Sequence, residues 1–280
     1  GLSAAKISAL TTGQVASLTT NQIATLSTDQ IAAIETDDLV TLNSRQLAAI
    51  TTTQAQALKT SQLQAMLGVQ IAAIPTATFA ALTPPQVSSF TGAQVQRLST
   101  AQIAALDSGQ LNAVTTLQLQ SFSGKQIAAI ETRDLVGLST LQTVSLSSTQ
   151  IAAMSSLQIS TLGSDQITAL NTAVMGALRT DQLRAMSSLQ ISALTTSQIQ
   201  NLRGNQLLAI STASIGGLST AHIQALNATQ VAALTTAQTS VMSDAQLNAI
   251  AAGAWTIPNV TIFEGDIVTV FIEGAGEMGK

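Results

Sequence analysis

Large apolar residues recur along this chain at a fixed interval of eight. Counted from Ser3, 31 consecutive octads run to Ile250 without an insertion or deletion, with a consensus near Thr-Thr-x-Gln-Ile-Ala-Ala-Leu. The eighth position is always Leu, Ile, Met, Phe or Val, and the fifth carries a large apolar side chain in all octads but those of Ala55, Thr143 and Thr239. The fourth is Gln in 24 octads; Lys6, Asp38, Thr78, Asp134, Val174, Ser214 and His222 take that slot in the others. The seventh is small almost throughout, Arg97 and Asn201 being exceptions, while the third and sixth vary freely and are expected to face water.

This spacing excludes a continuous helix. Eight residues at about 100° each overshoot two turns by roughly 80°, so the apolar stripe would spiral around the surface and bury nothing. A strand fails for a different reason: positions five and eight differ by an odd number and would point to opposite faces. A short helix puts both on one face, which requires the backbone to restart once per octad. The first two positions suit a restart, because at least one is Ser, Thr, Asn, Asp or Gly in every octad, and such side chains accept the orphan N–H groups of a helix start. Pro75, Pro84 and Pro85 fall only on the first three positions, where a helix tolerates them. Gln three positions after a Thr or Ser, as in Thr11 to Gln14, fits a capping box.

A helix of about six residues is not stable alone, so each octad must lean on others. The pattern therefore predicts an all-α solenoid, a superhelix of very short helices over residues 1–250 with a shared Leu/Ile core; a β-solenoid is the alternative. A helical wheel sets Gln at the edge of the apolar arc, half-buried, where its amide can both accept from and donate to linker backbone of an adjacent turn. A glutamine-lined binding groove is the competing reading. The small seventh position implies that another element approaches closely there.

A slower rhythm overlies the octad. QIAAIETDDLV at 30–40 and QIAAIETRDLV at 126–136 are twelve octads apart, as are the octads beginning at Pro75 and Asn171, which suggests growth by duplication of a twelve-octad block within a longer array. The register stops at Ala251. Residues 255–280 hold the one Trp and two β-branched runs flanking Glu-Gly-Asp, and are expected to form a β-hairpin that caps the core or joins chains end to end.

Composition removes most chemistry. Charged residues are 9% and aromatics 2% of the chain, with one His and no Cys or Tyr. A net charge of −4 without basic stripes argues against nucleic acid as a partner. Despite a mean hydropathy of +0.37, polar pairs interrupt every window of about 20 residues, so no membrane span is expected. Neither a signal peptide nor a cofactor motif is read, and no catalytic or metal-ligating residue is assigned. His222 in the Gln slot reads as a tolerated polar substitution, and Asp38 and Asp134 could share a cation only if twelve octads complete whole turns.

LTPPQVSSF at 82–90 resembles the opening helix of TAL-effector DNA-binding repeats over one octad, without their repeat length or base-reading loop. The array at 3–250 as a whole resembles the Ser/Thr/Gln/Ala-rich octapeptide regions of very large secreted or cell-surface bacterial proteins, adhesin-like in character. That resemblance implies no catalytic residue and an extracellular location. The expected function is a structural rod or filament-forming segment; the alternatives are a scaffold binding a peptide or glycan through positions three and six, and an ice-binding threonine array.

Overall fold

Residues 2–253 of the computed structural model are described, and among them every regular element is helical. Each octad forms one short helix, such as Thr100–Ala104 or Ser156–Thr161. The last helix, Asp244–Gly253, is longer because Ala251 and Ala252 stand where a restart would fall and let the helix run on. The all-α solenoid is thus the observed fold, without a β-solenoid among the described residues; the hairpin expected over 255–280 lies outside them.

The break sits one residue earlier than the polar pair suggests. At Thr51 the first position is extended (φ −77°, ψ 162°), and at Leu58 so is the eighth (φ −61°, ψ 134°), while Thr52 already belongs to the helix. The extended link is therefore Leu plus the capping residue. The Leu side chain turns inward there, and the following Ser or Thr hydroxyl accepts from an N–H in the first turn, as Ser99 does from Gln102 at 3.1 Å.

Ile at the fifth and Leu at the eighth position line one continuous core: Ile103, Leu111, Leu119 and Ile127 are almost completely buried, as are Leu106 and Val114. Phe79 and Phe90 stack in it with centroids 5.9 Å apart. Each helix packs against the helix three octads further on. The second position of one octad meets the seventh position of that later octad: a Cβ on Gly124 would lie 2.9 Å from Ala153 Cβ, and one on Gly92 2.9 Å from Ser121 Oγ. One coil of the solenoid consequently closes in between three and four octads.

This contact explains the small seventh position, since a large side chain there would push successive coils apart. At Gly137 and Gly217 the approach is tightest, and an added Cβ would overlap the Ser108 and Ser188 carbonyls of the preceding coil. Gly13, by contrast, has no heavy atom within 4 Å of a would-be Cβ and lies inside a helix. We expect Gly137→Ala and Gly217→Ala each to destabilise by about 1–3 kcal/mol through overpacking. Gly13→Ala should stabilise by about 0.5–1 kcal/mol through helix propensity. Denaturant unfolding of the three variants checks both signs.

Candidate functional site

The repeated polar side chain inside the stack is the glutamine. Its position at the third residue of each helix fixes what it touches. In every octad that has it, Oε1 accepts the backbone N–H of the octad's own first residue, as from Thr11 to Gln14 at 2.8 Å, Thr51 to Gln54 at 2.9 Å and Thr195 to Gln198 at 2.7 Å. The interaction persists where the first residue cannot cap with its own side chain, at Lys59, Leu67, Gly163, Arg179 and Arg203. The glutamine half of the capping box is constant, and the hydroxyl half is optional.

The amide nitrogen faces the other way. From Gln30 onward every fourth-position glutamine donates Nε2–H to a carbonyl three and a half octads earlier, for example Gln46 to Leu18 at 2.7 Å, Gln118 to Phe90 at 2.6 Å and Gln246 to Leu218 at 2.6 Å. Many also reach carbonyls slightly further back, as Gln198 does to Thr168 (3.2 Å) and Ile167 (2.9 Å). The carbonyls at the constant offset lie just beyond the C-terminal end of a helix in the preceding coil, where no partner exists within that helix, while fifth-position carbonyls such as Ile167 also accept the eighth-position N–H of their own octad. One side chain thus closes the start of its own helix and the end of another.

Burial follows from this. Gln182 is 0% and Gln102 1% exposed, so the slot is far deeper than the half-buried position expected from a helical wheel, which omits the neighbouring coil. Gln14 and Gln22 are exposed; they cap their own helices but make no bond to a preceding coil. The groove reading fails on this geometry, because the amides are taken up within the protein.

The exceptions sort by donor chemistry. His222 copies the acceptor half of the glutamine: Nδ1 accepts from the Ser219 N–H at 3.2 Å, and the ring lies toward the backbone of Leu194, at the same offset along the chain as a glutamine's partner. Thr78 and Ser214 keep the donor, to Ile50 (3.2 Å) and Met186 (2.7 Å). Val174 has no polar group, and buried Asp38 and Asp134 can only accept; Asp134 pairs with Arg133 at 3.3 Å. Asp38 and Asp134 stand more than three coils apart, and among the described residues no three metal-ligating side chains converge. At the surface Arg179 ties two coils, donating to the carbonyls of Ala152 and Met154 and to Asp181. The Arg179 guanidinium and the Ser156 hydroxyl together hold the Asp181 carboxyl well below the usual range.

Removing the donor should be costly where a preceding coil exists. Gln198→Leu leaves the Thr195 N–H and the Leu170 carbonyl unpaired and takes one of two donors from the Ile167 carbonyl, which keeps the Leu170 N–H, an expected loss of about 2–4 kcal/mol, whereas Gln14→Leu should cost under about 1 kcal/mol. Gln198→Glu retains the acceptor but faces carbonyls with a second acceptor, and should be at least as harmful as Leu at neutral pH. Equilibrium denaturation of the set separates the two halves of the amide. His222 supplies a pH test: burial pushes its imidazole below the ordinary value of about 6.5, with the Leu194 backbone opposing in part. The unfolded chain then binds the extra proton first, so its contribution is full above about pH 6.5 and falls as pH drops below it. His222→Gln should flatten that slope in a pH series of denaturant midpoints.

Comparison with known proteins supports a tandem-repeat region. The model of the ALTTAQ repeat matches residues 31–67, 127–164, 167–203 and 205–236, a little over half of the chain. No curated protein matches it. The first whole octad of each matched segment, beginning at Glu35, Glu131, Asn171 or Ser211, lacks the glutamine, and the octads after it carry glutamine or, once, His222. Three of the four steps from Glu35 through Pro75, Glu131 and Asn171 to Ser211 are five octads long, so a five-octad unit underlies the twelve-octad offset seen in the sequence. The chain belongs to the ALTTAQ repeat family.

Proposed function

We propose that this chain is a structural spacer, the rod of a bacterial surface or adhesin-like protein or of a filament, in which the solenoid supplies length and stiffness outside the cell. The observation that carries this reading is the internal use of the repeated polar group: the glutamine amides fasten coil to coil and leave no chemistry over. The remaining variable side chains, at positions three and six, face solvent, as Leu117 and Leu189 do at 74% and 73% exposure. Because an octad packs on the one three further on, successive octads occupy different sides of the coil, and these positions are distributed around the axis. That distribution disfavours a single concave face for a peptide or glycan. The first-position hydroxyls accept helix N–H groups, which disfavours an ice-binding threonine plane.

No helix among the described residues is long and apolar enough to cross a membrane. End-to-end joining through 255–280 belongs to the same proposal. Small-angle scattering should give an elongated particle whose maximum dimension falls in proportion when whole octads are deleted, and a compact particle would overturn the rod. Surface proteolysis and fractionation of the source cells should place the chain outside; retention inside would remove the extracellular part alone.

A further inference from the structure

Besides the first octad and the His222 octad, five octads, beginning at Glu35, Pro75, Glu131, Asn171 and Ser211, lack the glutamine and carry Asp38, Thr78, Asp134, Val174 and Ser214 in its place. At each the grip on the preceding coil is lost or reduced. The carbonyls of Leu10, Leu106 and Leu146, which a glutamine at 38, 134 or 174 would reach, receive no side-chain donor among the described residues, and those of Ile50 and Met186 receive a single hydroxyl. Toward the following coil the fastening is intact: Gln70 donates to Leu42 (2.9 Å), Gln110 to Leu82 (2.6 Å), Gln166 to Leu138 (2.8 Å), Gln206 to Leu178 (2.7 Å) and Gln246 to Leu218 (2.6 Å).

The local backbone differs as well. In octads 131–138 and 171–178 the helix tightens to 3-10 form over Leu135–Gly137 and Thr172–Ala177. Gly137 and Gly217 bring main chain against main chain of the preceding coil; at Gly137 the exposed Asn112 side-chain amide donates to the Gly137 carbonyl at 2.8 Å, a surface bond in place of the buried glutamine bonds. Pro75 removes the first-position N–H in an octad that has no glutamine to accept it.

We propose that these five octads are bending joints of the rod, at which one coil parts from the coil before it while staying fastened to the coil after it. The proposal rests on the spacer reading for its purpose, but its mechanical content is local. Opening is one-sided, the joints fall mostly five octads apart, and four of the five are the first whole octad of a segment matched by the family repeat. A stiff rod with joints at intervals yields to bending at fixed points instead of fraying at random.

Hydrogen exchange followed by mass spectrometry on the full chain tests this. Amides of 135–138, 175–178 and 215–218 should exchange at least about tenfold faster than those at the same positions in octads 147–154 and 155–162. Asp134→Gln and Val174→Gln should slow exchange in their own octads, and Gln150→Val should create a new fast segment at 147–154. Even exchange along the array, or a pattern that ignores all three substitutions, would overturn the joints. If a variant fails to fold, the native pattern alone decides, because fast segments must then coincide with the five octads. A compact particle in scattering would remove the rod without altering the exchange pattern, so the two readings fail separately.

Discussion

Every helix in the repeat array is too short to satisfy its own backbone, and that constraint governs the rest of the structure. A helix leaves about four N–H groups and four carbonyls without internal partners, so a helix of about five residues is almost entirely unpaired ends. Stacking such helices around an apolar core is favourable only if the ends are paired without admitting water. Glutamine meets the demand because its amide holds an acceptor and donors on one rigid plane, on a stem long enough to span from its own octad to the neighbouring coil. The distances on both sides, 2.7 Å to Thr195 and 2.7 Å to Leu170 for Gln198, show that neither bond is stretched to make the other.

The substitutions found in the slot follow from the same requirement. Histidine serves because a neutral imidazole has one acceptor and one donor; His222 accepts where the amide accepts, with its ring toward the backbone of Leu194 on the other side. Threonine and serine retain the donor, which is why Thr78 and Ser214 still reach the carbonyls a glutamine would reach. Aspartate supplies only acceptors, and valine nothing. The slot therefore reports, octad by octad, how firmly one coil is tied to the one before.

Much of this is legible in the residues. The octad length, the failure of a continuous helix, the cap at the first position and the close approach at Ala153 or Gly137 follow from period and side-chain size. The dual role of the amide is also readable as chemistry. Its reach is not: nothing local to Gln46 specifies that its donor meets Leu18, because the coil length is set by how Leu and Ile pack in three dimensions. For the same reason a helical wheel underestimates the burial of Gln182. Capping residues are conspicuous and draw the break to the polar pair, yet Leu58 is extended too, an arrangement imposed by the need to turn its side chain into the core. The five-octad rhythm is obscured by one seven-octad step between Pro75 and Glu131, which makes the twelve-octad offset the more visible one.

Because each coil-to-coil bond spans a constant offset along the chain, the rules that build the solenoid are translationally invariant: an octad needs only a cap, a glutamine, two apolar residues and a small seventh side chain to dock on whatever octads precede it. Stability then grows as a sum of neighbour terms, and length can change in steps of eight without redesign of the core. The same invariance makes a missing glutamine a local event. Its absence at Val174 leaves the bonds of Gln166 and Gln182 untouched, since each belongs to a different pair of octads. A chain governed by such rules can tune flexibility at chosen points without weakening the rest, so five weak octads among firm ones are compatible with a single continuous interior.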